Sequence, residues 1–287
     1  VRLAIVGLGL IGGSIARAVR ERAVSTEGWW VAAWSPSGAG PSEAVASGVI
    51  DAAPSTLAAT VADADLVVLA APPLACLDLL ASLADRGAVP LSPGVTVTDV
   101  ASTKEMIVSR AVGLGLPFVG GHPMAGSDRS GYTAASAELF VDRPWVISPP
   151  PGAPAIAVER VERLALRCGA HPLRMDAAAH DRAVAAVSHL PLLLSVALVE
   201  AVAGASDRDE ATALAASGWR DMTRLARGDV EMAVGIAATN ARHLAARARD
   251  VRAVLDRWIT ELERQDGPTE TWLWAGFTAA RDALARD

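Results

Sequence analysis

Lysine is nearly missing from this chain. Of 26 basic side chains in 287 residues, only Lys104 is a lysine and the rest are arginines. Aromatic residues are scarce too, at 4%, so the core must be built from small aliphatic side chains, which suits alanine-rich helices that approach one another closely. Cysteine is limited to Cys76 and Cys168, which are far apart and in no metal-ligand spacing. That pattern indicates neither a disulfide nor a zinc site, and no metal is expected. No basic excess exists: the formal net charge of -6 argues against a general nucleic-acid binder, which needs a cationic surface to neutralise phosphates. The first residues run directly into VRLAIVGLG, without a basic n-region ahead of an apolar segment, so the expected location is the cytoplasm. One apolar stretch, Ala183 to Ala203, is long enough to cross a membrane, but it contains His189, Pro191 and Glu200, each costly in lipid. A buried helix at a subunit interface is expected there, and no membrane partner.

The length exceeds that of one usual domain, and the pattern changes midway. From residue 1 to about 150, short β-like runs alternate with helical ones, as in a mostly parallel sheet with crossover helices. Strands are predicted at Arg2 to Val6, Trp29 to Trp34, Leu66 to Ala70, Val95 to Asp99, Phe118 to Gly120 and Trp145 to Ser148. The breaker run SPPPGAPA, Ser148 to Ala155, ends this pattern. The expected domains are therefore residues 1–152 and 153–287, the second almost entirely helical apart from a short strand near His171 to Arg174.

The most specific local signal is GLGLIGGS, Gly7 to Ser14. It follows an apolar strand and opens an amphipathic helix, the context that makes a GxGxxG pattern meaningful for dinucleotide binding. Gly7 allows the tight turn, Gly9 lets a pyrophosphate approach the backbone, and Gly12 lets helix and strand pack closely. Leu10 and Ile11 begin the helix whose free N–H groups face the phosphates. Ala71 and Pro72 end a buried strand at the carboxyl edge of the sheet, where ligands bind in such folds. At the end of the second strand, an NAD site normally presents Asp or Glu, whereas this chain has Ser35. Ser35 and Ser37 can hydrogen-bond a 2′-phosphate, but no arginine follows nearby. Between NAD and NADP the balance tilts slightly toward NADP, and Trp34 suits either sheet packing or an adenine face.

DVASTK, Asp99 to Lys104, follows another strand and leads into a helix. Ser102 and Thr103 there fit helix capping and an active site equally well. GGHPMAGSDRSG, Gly120 to Gly131, is too rich in glycine for a regular element and reads as a functional loop carrying His122, Ser127 and Asp128. Arg220, Arg224 and Arg227 recur at i, i+4 and i+7, which would crowd like charges on one helical face unless an anion lies between them.

Together with LFVDRPWVISP, HDRAVAAVSHLP from His180 and GWRDMTR from Gly218, these motifs make the chain resemble the prephenate and arogenate dehydrogenase family over nearly its whole length. The resemblance implies a Rossmann-type dinucleotide-binding domain followed by an all-helical domain that forms a homodimer. It also implies oxidative decarboxylation of a cyclohexadienol, prephenate to 4-hydroxyphenylpyruvate in tyrosine biosynthesis, with NAD or NADP. By that resemblance His122 accepts the proton of the ring 4-hydroxyl and Ser102 orients it. Arg224 holds a substrate carboxylate, and His189, Ser127 and Asp128 line the substrate pocket. Family members commonly carry Glu at the place of Asp128 and a second histidine at that of Leu192, so this pocket is shorter and less basic on its polar side.

His180 and His189 are nine residues apart, on opposite faces of an ideal helix, which leaves only His189 for the pocket unless the helix is broken. Pro191 is expected to kink the helix there. Arogenate and 4-amino-4-deoxyprephenate remain alternative substrates. Hydroxyacid dehydrogenases of similar build rely on a lysine in the helical domain, and no lysine follows Lys104. A non-catalytic nucleotide-sensing protein would have no need of the proton acceptor His122.

Overall fold

The computed structural model describes residues 1–22, 28–127 and 129–285. Seven strands form one sheet in the order β2-β1-β3-β4-β5-β6-β7. They are β1 (Arg2–Val6), β2 (Trp30–Trp34), β3 (Leu66–Leu69), β4 (Thr96–Asp99), β5 (Phe118–Pro123), β6 (Pro144–Ser148) and β7 (His171–Arg174). The first five pair in parallel, β6 runs antiparallel to β5, and β7 is parallel to β6. Leu3 to Val6 of β1 and all of β3 are apolar and buried on both faces because helices cover both sides of a parallel sheet, and the more polar β4, Thr96 to Asp99, is buried with them. The crossover helices are α1 (Leu10–Glu21), α2 (Ala39–Ala46), α3 (Leu57–Val61), α4 (Pro73–Ala84) and α5 (Glu105–Gly113), with α6 (Ala155–Arg167) before β7. One core cluster joins α1, α6 and one sheet face around Ile15, Val161, Trp145 and Phe140; the other joins α4, α5 and the opposite face around Leu80, Leu83 and Ile107. The sheet continues past the breaker run at 148–155, since α6 packs on it and β7 is its last strand.

Beyond the sheet come α7 (Ala177–Val184), a π turn at Ala185–His189, α8 (Leu190–Ala203), α9 (Arg208–Ala213), α10 (Ser217–Thr223) and α11 (Val230–Thr239). Residues 1–241 form one compact unit and 242–287 a second. The second holds most of α12 (Ala241–Leu262) and all of α13 (Glu270–Leu284). Within it Trp258 packs edge-on against Trp272 with ring centres 4.6 Å apart, and Gly276 leaves room for the Trp258 indole. Glu261 accepts hydrogen bonds from the Thr269 N–H and hydroxyl, tying the connection together.

Two expectations change. The segment GGHP is strand rather than loop: Gly120 to Pro123 pair with Ser148 to Trp145 of β6. The glycines serve packing, since a Cβ on Gly121 would lie 2.7 Å from the Asp99 carbonyl oxygen, and one on Gly120 would press on Val108 and on the Lys104 stem. The apolar helix after His180 is not buried in this chain. Among α8 residues only Ser195 is buried, and Val187 just before it is 74% exposed. Ala177–Ala203 is, among the described residues, the one helical run long and apolar enough to cross a membrane, though His180, Asp181 and His189 are buried within it.

The sole lysine is fully buried. Lys104 Nζ pairs with Asp99 at the end of β4, both side chains having no exposure. Asp99 also accepts the backbone N–H groups of Ala101 and Gly121. Burial raises the Asp99 carboxyl above the usual carboxylate range, and Lys104 and these donors offset only part of that rise. Removing one member of such a pair leaves an uncompensated buried charge, so Lys104→Met is expected to cost about 3–5 kcal/mol in urea denaturation. Adding Asp99→Asn to Lys104→Met should recover part of that loss.

Candidate active site

The glycine turn sits where strand order reverses, between β2 on one side of β1 and β3 on the other. In open α/β sheets this is the ligand crevice. Gly7 takes a left-handed φ of 98°, and a Cβ there would lie 2.2 Å from the Ala70 carbonyl oxygen. Gly12 is equally constrained, with its absent Cβ 2.0 Å from the Gly7 carbonyl oxygen. Gly9 differs: nothing lies within 4 Å of its would-be Cβ. The turn is thus packed tightly from behind and left bare in front, and Gly9 holds the cap position of α1 with no side-chain cap.

Two cavities open along this edge. One, about 710 Å³, is lined by Gly7, Gly9, Trp34, Ser35, Ala71 and Pro72 among others. The second, about 430 Å³, shares Gly9, Ala71, Pro72 and Gly131 with the first and adds Leu10, Ile11, Ser102, His122, Ser127 and Arg129. The expected cofactor residues therefore line one cavity or both, except Gly12, which is buried behind the turn. Ser102, His122 and Ser127 come together in the second. Asp128 lies outside the described residues. His189 is buried and does not line either cavity, and Arg224 is exposed at the end of α10, likewise outside both. A 3-10 turn at Leu225–Arg227 follows directly, so Arg227 does not continue the α10 face of Arg220.

His122 stands near the end of β5, opposite Val146 of β6. Its Nδ1 is 2.8 Å from His180 Nε2, and His180 Nδ1 is 2.8 Å from Asp181 Oδ1. The Asp181 carboxylate only accepts hydrogen bonds, so His180 must carry its proton on Nδ1. With both rings neutral, His180 Nε2 then accepts from His122 Nδ1–H. This leaves Nε2 of His122 as a lone pair at the cavity it lines. Burial, then the repulsion that a protonated His122 would meet from His180, Lys104 and His189, hold the His122 pKa well below the ordinary imidazole range. Burial alone would raise the Asp181 carboxyl, but His180 and the backbone N–H groups of Glu105 and Lys104 bring it below the usual carboxylate range.

His180 is the functional residue that helix geometry had excluded. The π turn at Ala185–His189 breaks the α-helical register between it and His189. The available signal was Pro191, which removes a hydrogen bond just beyond and favours such a break. His189 is held differently: Asn240 Nδ2 donates to its Nδ1 at 3.1 Å and also to the Asp181 carbonyl at 2.9 Å. Burial lowers the His189 pKa to about 4 against the attraction of Asp181. The Ser102 backbone lies beside His189, yet His189 Nε2 makes no hydrogen bond of ordinary geometry among the described residues.

The ambiguity at DVASTK is also resolved. Lys104 occupies the cap position of α5 without a capping side chain of its own. Asp181 caps the helix instead, accepting from Lys104 N at 2.7 Å and Glu105 N at 2.9 Å. Thr103 hydrogen-bonds Thr239 at 2.7 Å. Ser102 is thereby free of capping, and its buried hydroxyl, on the cavity wall, has no partner among the described residues.

A doubly covered parallel sheet, a bare glycine turn at its switch point and an imidazole acceptor in the adjoining cavity define a dinucleotide-dependent dehydrogenase. The chain belongs to the prephenate dehydrogenase family. Residues 15–173 match the model of the prephenate dehydrogenase nucleotide-binding domain, and residues 176–273 match that of its dimerization domain. A prephenate dehydrogenase of Bacillus subtilis is 31% identical over 97% of this chain and 74% of its own length. NovF of Streptomyces niveus, named a probable prephenate dehydrogenase, is 33% identical over 90% of this chain and 66% of its own length, so the chain spans just under two thirds of that relative. Among solved structures, Synechocystis arogenate dehydrogenase is similar with a TM-score of 0.79 and 33% identity, covering 99% of this chain and all of that one.

Two outcomes are expected. Asp181→Asn removes the acceptor that orders both histidines and should lower kcat/KM by roughly 10²–10⁴, as loss of the tautomer-setting carboxylate does in hydrolase triads; dinucleotide affinity should hardly change. Because His122 and His189 are harder to protonate in the fold than in the unfolded chain, the unfolded state binds more protons as pH falls below about 6.5. Stability in urea should therefore drop between that pH and about 4, where His189 titrates, and His189→Asn should flatten the decline.

Proposed function

We propose that this protein oxidises prephenate to 4-hydroxyphenylpyruvate with release of carbon dioxide, using a nicotinamide dinucleotide, as a cytoplasmic step in tyrosine formation. The observation that carries this reading is the Asp181, His180, His122 chain ending at a cavity that adjoins the glycine turn. The residues fit the cofactor: Gly9 leaves its front open to the cavity, and the uncapped N-terminus of α1 offers N–H groups to a pyrophosphate. When bound, the dinucleotide takes up the hydride lost from the ring carbon that bears the hydroxyl.

The protein's own part is smaller. His122 Nε2 accepts the hydroxyl proton as that carbon becomes carbonyl-like, and its lowered pKa keeps it an acceptor at neutral pH. The ring carboxylate leaves as carbon dioxide, its bonding electrons aromatise the ring, and the phenolic oxygen regains a proton. Ser102 Oγ, at the cavity wall and without a partner among the described residues, suits a hydrogen bond to the same oxygen. The apolar wall from Leu10, Ile11, Leu192, Met232 and Ile236 holds the ring and excludes water. Arg129 lines the cavity and suits one substrate carboxylate; Arg224, outside the cavity in the single chain, is proposed for the other, with Ser127 and Asp128 on the polar side and the buried His189 behind the wall, next to the Ser102 backbone.

Arogenate is a second reading. Asp229 also lines the cavity and provides a carboxylate for a substrate amine, and the similar Synechocystis protein is an arogenate dehydrogenase.

The exposed apolar residues of the helical segment, Val187, Leu214, Met222, Val230 and Val234 in the first unit and Trp274 and Phe277 in the second, support a homodimer. Assembly of this kind would cover the α8 surface that the single chain leaves open.

The test is production of reduced nicotinamide on mixing the protein with dinucleotide and prephenate or arogenate; no signal with either would refute the reading. His122→Asn is expected to reduce kcat by about 10²–10⁴. Arg224→Gln should instead raise KM about tenfold or more with kcat nearly kept, as loss of uniform binding does; an unchanged KM would remove Arg224 from the site.

A further inference from the structure

The cavity at the end of β2 has an unusual charge pattern. Its acidic lining consists of Glu43, Asp78 and Glu231, and no arginine, lysine or histidine lines it among the described residues. Glu43 is brought there by close packing. A Cβ on Gly40 would lie 2.7 Å from the Leu8 carbonyl oxygen, so α2 rests against the glycine turn. Glu43 lies three residues further along the same helix face.

In a dinucleotide fold the adenosine ribose lies at the end of the second strand, and an acidic residue there accepts from its hydroxyls. This chain has Ser35 at that strand end, and Ser35, Ser37 and Glu43 line the same cavity. The serines can hydrogen-bond a 2′-phosphate but cannot neutralise it. A phosphate monoester carries close to two negative charges at neutral pH, and here it would enter a cavity whose wall carries three carboxylates and, among the described residues, no counter-charge.

Resting on the dehydrogenase reading, we infer that the site selects NAD over NADP, and that Glu43 on α2 replaces the missing strand-end carboxylate. The selection combines an acceptor for the ribose hydroxyls with repulsion of the 2′-phosphate. It runs opposite to the preference suggested by the strand-end serines alone, because those serines are only the uncharged part of the wall.

The test is direct binding. Trp34 lines the cavity, so tryptophan fluorescence of the intact protein can be titrated with NAD, NADP and ADP-ribose without turnover. NAD is expected to bind at least about tenfold more tightly than NADP at low salt, with the ratio narrowing as salt screens the carboxylates. Glu43→Gln should bring the two affinities together by roughly threefold to tenfold, chiefly through tighter NADP binding. Equal or tighter binding of NADP by the unaltered protein would overturn the inference. An unchanged ratio in Glu43→Gln would overturn the role of Glu43. Failure of all three ligands to bind would overturn the dinucleotide site itself, whereas NAD selection without oxidation of prephenate or arogenate would leave this inference standing and refute the proposed substrate.

Discussion

The Asp181 carboxylate is the point on which the active site depends. Buried at the start of the helical segment, it accepts three hydrogen bonds: Lys104 N, Glu105 N and His180 Nδ1. Two of them cap α5, placing a negative charge at the positive end of that helix dipole. The third sets the tautomer of one histidine and, through it, of His122. A single buried anion thus joins the sheet's crossover helix to the segment that follows the sheet and directs a lone pair into the cavity. Its burial is affordable because every lone-pair direction it uses meets a donor.

The neighbouring pair works from the strand side. Asp99 accepts from Lys104 and from the N–H groups of Ala101 and Gly121, which lie next to Ser102 and His122 in sequence. Lys104 therefore serves both devices: its ammonium group meets Asp99 and its backbone N–H meets Asp181. Ser102 and His122 are held from below by fixed charges, while above them the cavity is largely apolar. Preorganisation of this kind suits a reaction in which aromatisation and loss of carbon dioxide supply the driving force and the protein needs only to position a ring and accept one proton.

Much of this was legible in the sequence, for identifiable reasons. The glycine turn announced itself because Gly7 and Gly12 sit where a Cβ would strike backbone and Gly9 leaves the front of the turn bare, and the strand at His171 to Arg174 was found at its observed bounds. Ser102 and His122 were legible through motif resemblance. His180 was not, because an ideal helix puts it opposite His189, and the π turn that changes the register leaves only Pro191 as its trace in sequence. The capping of α5 was equally hidden: the capping carboxylate lies 77 residues away from Lys104, whereas local reading considers only Ser102 and Thr103. GGHP was misread as loop because glycine disfavours strands in general, while here it makes room over a buried lysine. The apolar helix from Leu190 looked like core, yet hydropathy does not say whether the covering surface belongs to the same chain.

The central claim is that His122 is a neutral imidazole with its proton on Nδ1 and a free lone pair on Nε2. The most direct measurement is nitrogen NMR of histidine-labelled protein across pH, with His122 assigned by comparison with His122→Asn. The account predicts the Nδ1–H form near neutral pH and no protonation of the ring until well below pH 6.5. A ring that carries its proton on Nε2, or that titrates as an ordinary exposed histidine, would contradict it.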